Sequence, residues 1–219
     1  MTKEIRIFNE PRFVATVEII NSIVNDSSLV VEIGAADASF KRFVKSNKWI
    51  TIDKYGDPDI KVDLNGTNIE LPFQRGSVDA VICTEVLEHL TIGSPLVKEI
   101  SRILKPAGRA IISVPNIVSL KARLYFLLGK LPPMAASGDC GNIMGGTGIL
   151  IDGHWVGAHV VDFNTARLYK YLARSGLTVD THWSIPLAFN RPIKFSINGK
   201  FVPKSLLDFI VITARPETL

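Results

Sequence analysis

Apolar and polar residues alternate with two different periods along this chain, and the switches between them mark out its elements. Phe13, Val14, Val17, Ile20, Ile23 and Val24 fall on one helical face, which predicts a helix over 12–26 ended by Asp26-Ser27-Ser28. LVVEIG (29–34) is a short apolar run closed by glycine and reads as a buried strand. A helix over 38–47 follows, then strands at WITID (49–53), IKVD (60–63) and VDAVICT (78–84). SPLVKEISRILK (94–105) predicts a helix with Ser94 as its N-cap and Pro95 in the first turn. It buries Leu96, Val97, Ile100, Ile103 and Leu104 and stops at Pro106-Ala107-Gly108. RAIISVP (109–115) is a fifth strand, and 117–128 is a further apolar helix ending at Gly129. A helix over 164–175, capped by Asn164 or Thr165, precedes two late strands in LTVDTHWSI and LLDFIVITAR.

Strands alternating with helices through short connections imply a parallel sheet with helices on both faces. Two final strands with no helix between them imply one antiparallel strand. The expected fold is α/β: a single doubly wound, mostly parallel seven-stranded sheet. One domain over 1–219 accommodates it. An irregular insert at about 129–160 interrupts the pattern, since 129–157 hold 8 of the 16 glycines.

Composition narrows the class. With 219 residues, 47% apolar and 21% charged, the chain can bury a proper core and is not a disordered polymer. No apolar run reaches membrane-spanning length, and the charged opening MTKEIRIFNEPRF lacks a secretory core, so a cytoplasmic protein is expected. Cys83 and Cys140 make no disulfide framework. The net charge of +4 is unevenly spread: residues 111–219 carry 11 basic and 6 acidic side chains. That excess favours an anionic partner, but without a dense basic run nucleic acid is not expected.

In an open parallel sheet, ligands bind beyond the carboxyl ends of the strands. After the first strand, Gly34, Ala36 and Ala38 are small enough for the backbone to approach a ligand closely. After the second, Asp53 stands 19 residues beyond Gly34, where a carboxylate can accept both hydroxyls of an adenosine ribose. After the third, Asp63 and Leu64 pair an acceptor with an apolar surface, which suits an adenine. After the fourth comes Thr84-Glu85-Val86-Leu87-Glu88-His89, polar groups where a reacting centre would lie. A nicotinamide-binding loop would want a third glycine where Ser39 stands.

VVEIGAADAS, TIDKYG, VDLN, LPF, GSVDAVICTEVLEHL and KEISRILKPAGRAIISVPN, in that order, resemble the class I S-adenosylmethionine-dependent methyltransferases. The likeness is to the small-molecule branch that includes ubiquinone-pathway and methionine-biosynthesis-type enzymes, and covers about residues 10–116. It implies a Rossmann-like fold and S-adenosyl-L-methionine as cofactor. Glu32, Gly34 and Ala36 then match the motif that wraps the methionine part of the cofactor, and Asp53 the ribose-binding acid. Asp63 and Leu64 match the adenine pocket, and Thr84 and Glu85 the methyl-donor side. Alanines replace the usual glycines at 36 and 38, and Gly66–Glu70 is an extra stretch.

The implied activity is methyl transfer to an oxygen or nitrogen of a small molecule or glycan precursor, the acceptor being anionic or a sugar. An alternative is a catalytically silent protein of the same fold that binds cofactor or a protein partner. An alcohol acceptor needs a base, for which His89, His154, His159 and Glu85 are candidates. His89 and His159 are the expected catalytic pair, with the glycine-rich insert as a lid. No metal is expected: His154, His159 and Asp162 fit no metal-ligand spacing. Oligomeric state is not legible.

Overall fold

A computed structural model describes residues 11–35, 40–136, 149–151, 154–156, 158–185, 193–195 and 206–217. The expectations for Ala36, Ala38 and Ser39, and for the middle of the glycine-rich insert (137–148), lie outside the described residues.

The apolar runs form strands β1 (Leu29–Ile33), β2 (Lys48–Asp53), β3 (Ile60–Lys61), β4 (Val78–Thr84) and β5 (Leu104–Pro115). Short strands β6 (Ile149–Ile151) and β7 (His154–Val156) form a separate antiparallel ribbon within the insert. The late strands are β8 (Leu177–Ile185), β9 (Ile193–Phe195) and β10 (Phe209–Pro216). The main sheet has the order β3-β2-β1-β4-β5-β10-β8-β9. β10 runs antiparallel between β5 and β8, so β8 regains the direction of β5. This is the expected seven-stranded sheet, with β9 added as a short antiparallel edge.

Side chains of successive strand residues point to opposite faces, and each face has its own core. On one face, Val31, Ile33, Val81, Cys83, Ile112 and Val114 pack with helices α2 (Ser94–Ile103) and α4 (Thr165–Ala173). On the other, Val30, Ile82, Ile111 and Val211 pack against Phe13 and Ile20 of α1 (Pro11–Asn21) and Val24 just beyond it. Burial on both faces explains why these strands are almost wholly apolar. It also removes Cys83 from solvent and pushes its thiol pKa up, so this cysteine is a packing residue.

Several expected boundaries move. α1 ends at Asn21. In place of a helix over 38–47 there is a 3-10 turn at Phe40–Phe43, because Phe40 stacks on Phe13 with ring centroids 4.5 Å apart. Gly93, not Ser94, occupies the N-cap of α2 and makes no side-chain cap bond. A β-carbon at Gly93 would stand 2.7 Å from the Tyr171 hydroxyl, so packing from α4 excludes a larger cap. Asn164 does cap α4, accepting from the Arg167 amide at 2.8 Å. Between α2 and α4 in sequence, α3 (Leu120–Leu127) buries only Ala122 and leaves Leu120, Leu124 and Leu127 exposed.

A clip fixes the loop before β4 to α2. Arg102 donates to both oxygens of Glu99 at 2.7 Å and to the carbonyls of Phe73 and Leu71 at 2.9 and 3.0 Å. Glu99 also accepts from the Leu71 amide at 2.9 Å. Burial by itself would raise the Glu99 carboxyl, but bonds from Arg102 and Leu71 outweigh it and hold the pKa below 4.5. Arg102→Met should cost about 2 kcal/mol in urea unfolding at neutral pH, the scale of charge-assisted bonds left unmade. A depressed carboxylate stabilises the fold above its unfolded pKa and loses that effect as pH falls through the folded value. The difference between wild type and variant should therefore shrink on acidification below 4.5; a pH-independent difference would assign the loss to packing.

Candidate active site

Register brings the expected ligand positions level. β1 pairs in parallel with both β2 and β4, with Ile33 opposite Ile52 on one side and Cys83 on the other. Gly34, Asp53 and Thr84 are each one residue further on, so all three leave the same edge of the sheet. Strand order reverses between β1 and β4, which is where open α/β sheets form their ligand crevice.

Glu32 lies inside the strand rather than at its tip and is buried. Its carboxylate accepts from the Phe40 amide at 3.0 Å and from the Trp49 indole at 2.9 Å. It therefore anchors the backbone at Phe40 and the Trp49 ring to the end of β1. Gly34 has φ +75, and a β-carbon there would collide with Val86. The glycine is demanded by a left-handed turn and by the segment after β4 pressing against it.

At the end of β2, Asp53 is 8% exposed and accepts from the Tyr55 amide at 2.9 Å. The carboxylate is thus oriented by the turn that follows it. Asp63 is more open: Lys54 pairs with it at 2.8 Å and the Asn65 amide donates at 3.0 Å. The Lys54 hydrogen bond and charge, with the Asn65 amide, lower the Asp63 pKa against a small burial effect. Leu64 beside it is buried among Ile69 and Leu71. Lys54, itself exposed, thus links the loops after β2 and β3.

After β4, Thr84 is half-buried. Glu85 is the sole non-glycine residue with positive φ among the described residues, at 56. Such a conformation costs energy and is characteristic of functional turns. Its amide donates to the Ser113 carbonyl at 3.0 Å and its carboxylate accepts from the Ser113 hydroxyl at 2.8 Å. This ties the turn to β5.

The turn then delivers a 3-10 segment, Leu87–His89. The Glu88 carbonyl accepts amides from Val160 and Val161 at 2.7 and 3.1 Å, stitching on the segment that follows the insert. The stitch brings His89 and His159 together, with ring centroids 4.9 Å apart. The Nδ1 atom of His89 lies 3.1 Å from the Ala158 carbonyl, and that of His159 lies 2.7 Å from the Met134 carbonyl. A carbonyl oxygen only accepts, so each Nδ1 carries a proton and each Nε2 is the nitrogen turned toward Glu88. Burial lowers the His89 pKa, the bond to Ala158 works against this, and His159 lowers it further. Its ring is neutral at pH 7.

Glu88 joins the pair and is 1% exposed. Its Oε1 stands 3.8 Å from His89 Nε2 and 4.0 Å from His159 Nε2. The ligand-capable atoms of the three residues all lie within 4.8 Å of one another. A small, partly open hollow adjoins Glu88 and His159, lined also by Pro115, Ile117, Met134, Val161, Asp162 and Phe163. Sequence reasoning passed over Glu88; its signal is the adjacency of Glu88 and His89 directly after a strand. The expectation of no metal in the chain weighs only His154, His159 and Asp162, a set that shares His159 with this cluster and leaves out Glu88 and His89. Asp162 accepts from the Ala136 amide at 2.9 Å, helping to hold the segment that leads into the insert. The His154 side chain lies outside the described residues.

Residues 34–112 match a family described as Methyltransferase domain. A curated protein of Mycolicibacterium smegmatis, named a probable S-adenosylmethionine-dependent methyltransferase, is 38% identical over 75 residues, or 34% of this chain. The match spans about a quarter (27%) of that relative's length. Among solved structures, a Burkholderia thailandensis 1,6-didemethyltoxoflavin-N1-methyltransferase bound to S-adenosylhomocysteine is similar in fold. Its TM-score is 0.58 at 14% identity, over 99% of this chain and 82% of that one. An S-adenosylmethionine-dependent methyltransferase from Mesorhizobium loti gives 0.56 at 12% identity, over 94% and 97%.

Gly34→Ala tests the contact between the β1 and β4 turns. The left-handed backbone alone should cost about 1–3 kcal/mol, and Val86 must also move aside. Adding Val86→Ala should recover part of the loss in the melting temperature; purely additive losses would mean the two residues do not press on one another.

Proposed function

We propose that the chain is a class I S-adenosylmethionine-dependent methyltransferase and that it methylates an oxygen or nitrogen of a small molecule or glycan precursor. The observation that carries this reading is the level edge formed by Gly34, Asp53 and Thr84 at the strand-order reversal. Those residues fit the cofactor: a glycine with no β-carbon at the closest turn, and a mostly buried carboxylate already oriented by a backbone amide. S-adenosylmethionine supplies an electrophilic methyl group on a sulfonium.

Residue roles follow from position. Gly34 and Ala36 provide the backbone that passes the methionine part, and Glu32 holds that loop in place. Asp53 accepts the ribose hydroxyls, each bond contributing about 1.5–3 kcal/mol. Asp63 and Leu64 flank the adenine. Thr84 and Glu85 line the methyl-donor side, and His89 and His159 face the acceptor. The neutral Nε2 of His89 is suited to take a proton from a weakly acidic acceptor. Holding the acceptor in line contributes more than the base does, on the order of 7–11 kcal/mol for well-aligned reactants. The basic excess in residues 111–219 supports an anionic acceptor, such as a nucleotide-linked sugar. No helix among the described residues is long and apolar enough to cross a membrane.

Asp53→Ala should weaken S-adenosylhomocysteine binding at least about tenfold in calorimetric titration, the loss of roughly 1.4 kcal/mol. Unchanged affinity would put the ribose elsewhere. Wild-type protein with labelled S-adenosylmethionine and a metabolite extract should yield a labelled product. Binding without transfer would make the chain a silent cofactor-binding protein.

A further inference from the structure

We propose that Glu88, His89 and His159 form a binding site for one first-row divalent cation, Zn²⁺ foremost, whose open coordination position faces the adjoining pocket and takes an acceptor oxygen. The ion's presence is independent of the methyl-transfer reading; its role in holding the acceptor rests on that reading.

Three features of the cluster support the assignment. The first is spacing. Zinc–ligand distances of about 2.0–2.2 Å put tetrahedral ligands about 3.4 Å apart. The Glu88 oxygen lies 3.8 and 4.0 Å from the two Nε2 atoms, too long for hydrogen bonds and slightly wider than an ion would draw them. Small side-chain rotations close that difference.

The second is the orientation of the imidazoles. Both direct Nδ1 at a backbone carbonyl, which fixes the tautomer and leaves Nε2 toward Glu88. Metal-ligating histidines are characteristically held in this way by a second bond. The two carbonyls come from Ala158 and Met134, on either side of the insert, so the chain brings separate segments together to hold the rings.

The third is the donor set and its surroundings. Two neutral imidazoles and one carboxylate suit zinc and its first-row neighbours better than magnesium, which prefers oxygen throughout. Three protein ligands leave the further position a catalytic ion needs. Pro115, Ile117, Met134, Val161 and Phe163 give that side apolar surface, with Asp162 among them. With the ion bound, His89 Nε2 is a ligand and no longer a base; an acceptor hydroxyl on the ion would instead lose its proton to solvent water, and more readily than when free. Its oxygen then forms the new bond to the methyl carbon, while the carbon–sulfur bond breaks and sulfur keeps the electron pair.

The test uses the full chain after chelator treatment, with metal salts alone as probes. Co²⁺ titration should give visible ligand-field absorption saturating at one ion per chain, and Zn²⁺ should displace it. His159→Gln and Glu88→Gln should each weaken Zn²⁺ binding by roughly a hundredfold, at or beyond the upper end for losing a metal-site contact. Zn²⁺ should raise the melting temperature of wild type and not of His159→Gln. If Glu88→Gln does not fold, His89→Gln takes its place. S-adenosylhomocysteine affinity of His159→Gln should stay within about twofold of wild type, a change of some 0.4 kcal/mol. No Co²⁺ or Zn²⁺ binding by wild type, or equal binding by the variants, overturns the site. Zn²⁺ binding without S-adenosylhomocysteine binding would leave the cation site standing and remove the methyl-transfer reading; the reverse result would do the opposite.

Discussion

In-register parallel pairing of β1 with β2 and β4 is the constraint on which the candidate site depends. Each strand is short and apolar, and each must pair along its length to satisfy its backbone in a buried sheet. Once Ile33 stands opposite both Ile52 and Cys83, the following residues have to emerge together. Gly34, Asp53 and Thr84 are thus assembled by hydrogen-bond register, without direct bonds among them being needed. The two apolar cores above and below hold that register, because a slip by one residue would exchange the faces of every side chain.

The cluster around Glu88 has a different origin. Its histidines come from distant parts of the chain, and what joins them is the Glu88 backbone carbonyl receiving two amides from 160 and 161. The positive φ of Glu85 and the closeness of Val86 to Gly34 aim the preceding turn. Strain in that turn is balanced by the paired bonds between Glu85 and Ser113. The two halves of the site are therefore mechanically linked, since Gly34 and Val86 touch across the strand tips that separate them.

Helix α3 sits outside this economy of burial. It is apolar almost all round, yet Leu120, Leu124 and Leu127 are exposed and Ala122 alone among its residues is buried. Its sequence looks like core, yet the described residues leave most of it uncovered.

Much of the fold was legible because burial imposes periodicity. Runs such as LVVEI and VDAVICT can only be buried strands between turns, and α2 and α4 show one apolar face each. The positions of the small residue after β1 and of the acid after β2 were readable because they depend on local backbone and on strand ends. What the sequence could not determine were contacts made across long separations. Phe40 stacks on Phe13 and replaces an expected helix with a 3-10 turn, and Tyr171 selects Gly93 as the cap of α2. Lys54 is drawn to Asp63 by the pairing of β2 with β3. The convergence of Glu88, His89 and His159 belongs to the same class: the His89 ring meets a carbonyl 69 residues away. Periodicity records which face of an element is buried, but only tertiary packing decides which buried faces, and which polar side chains among them, come to meet.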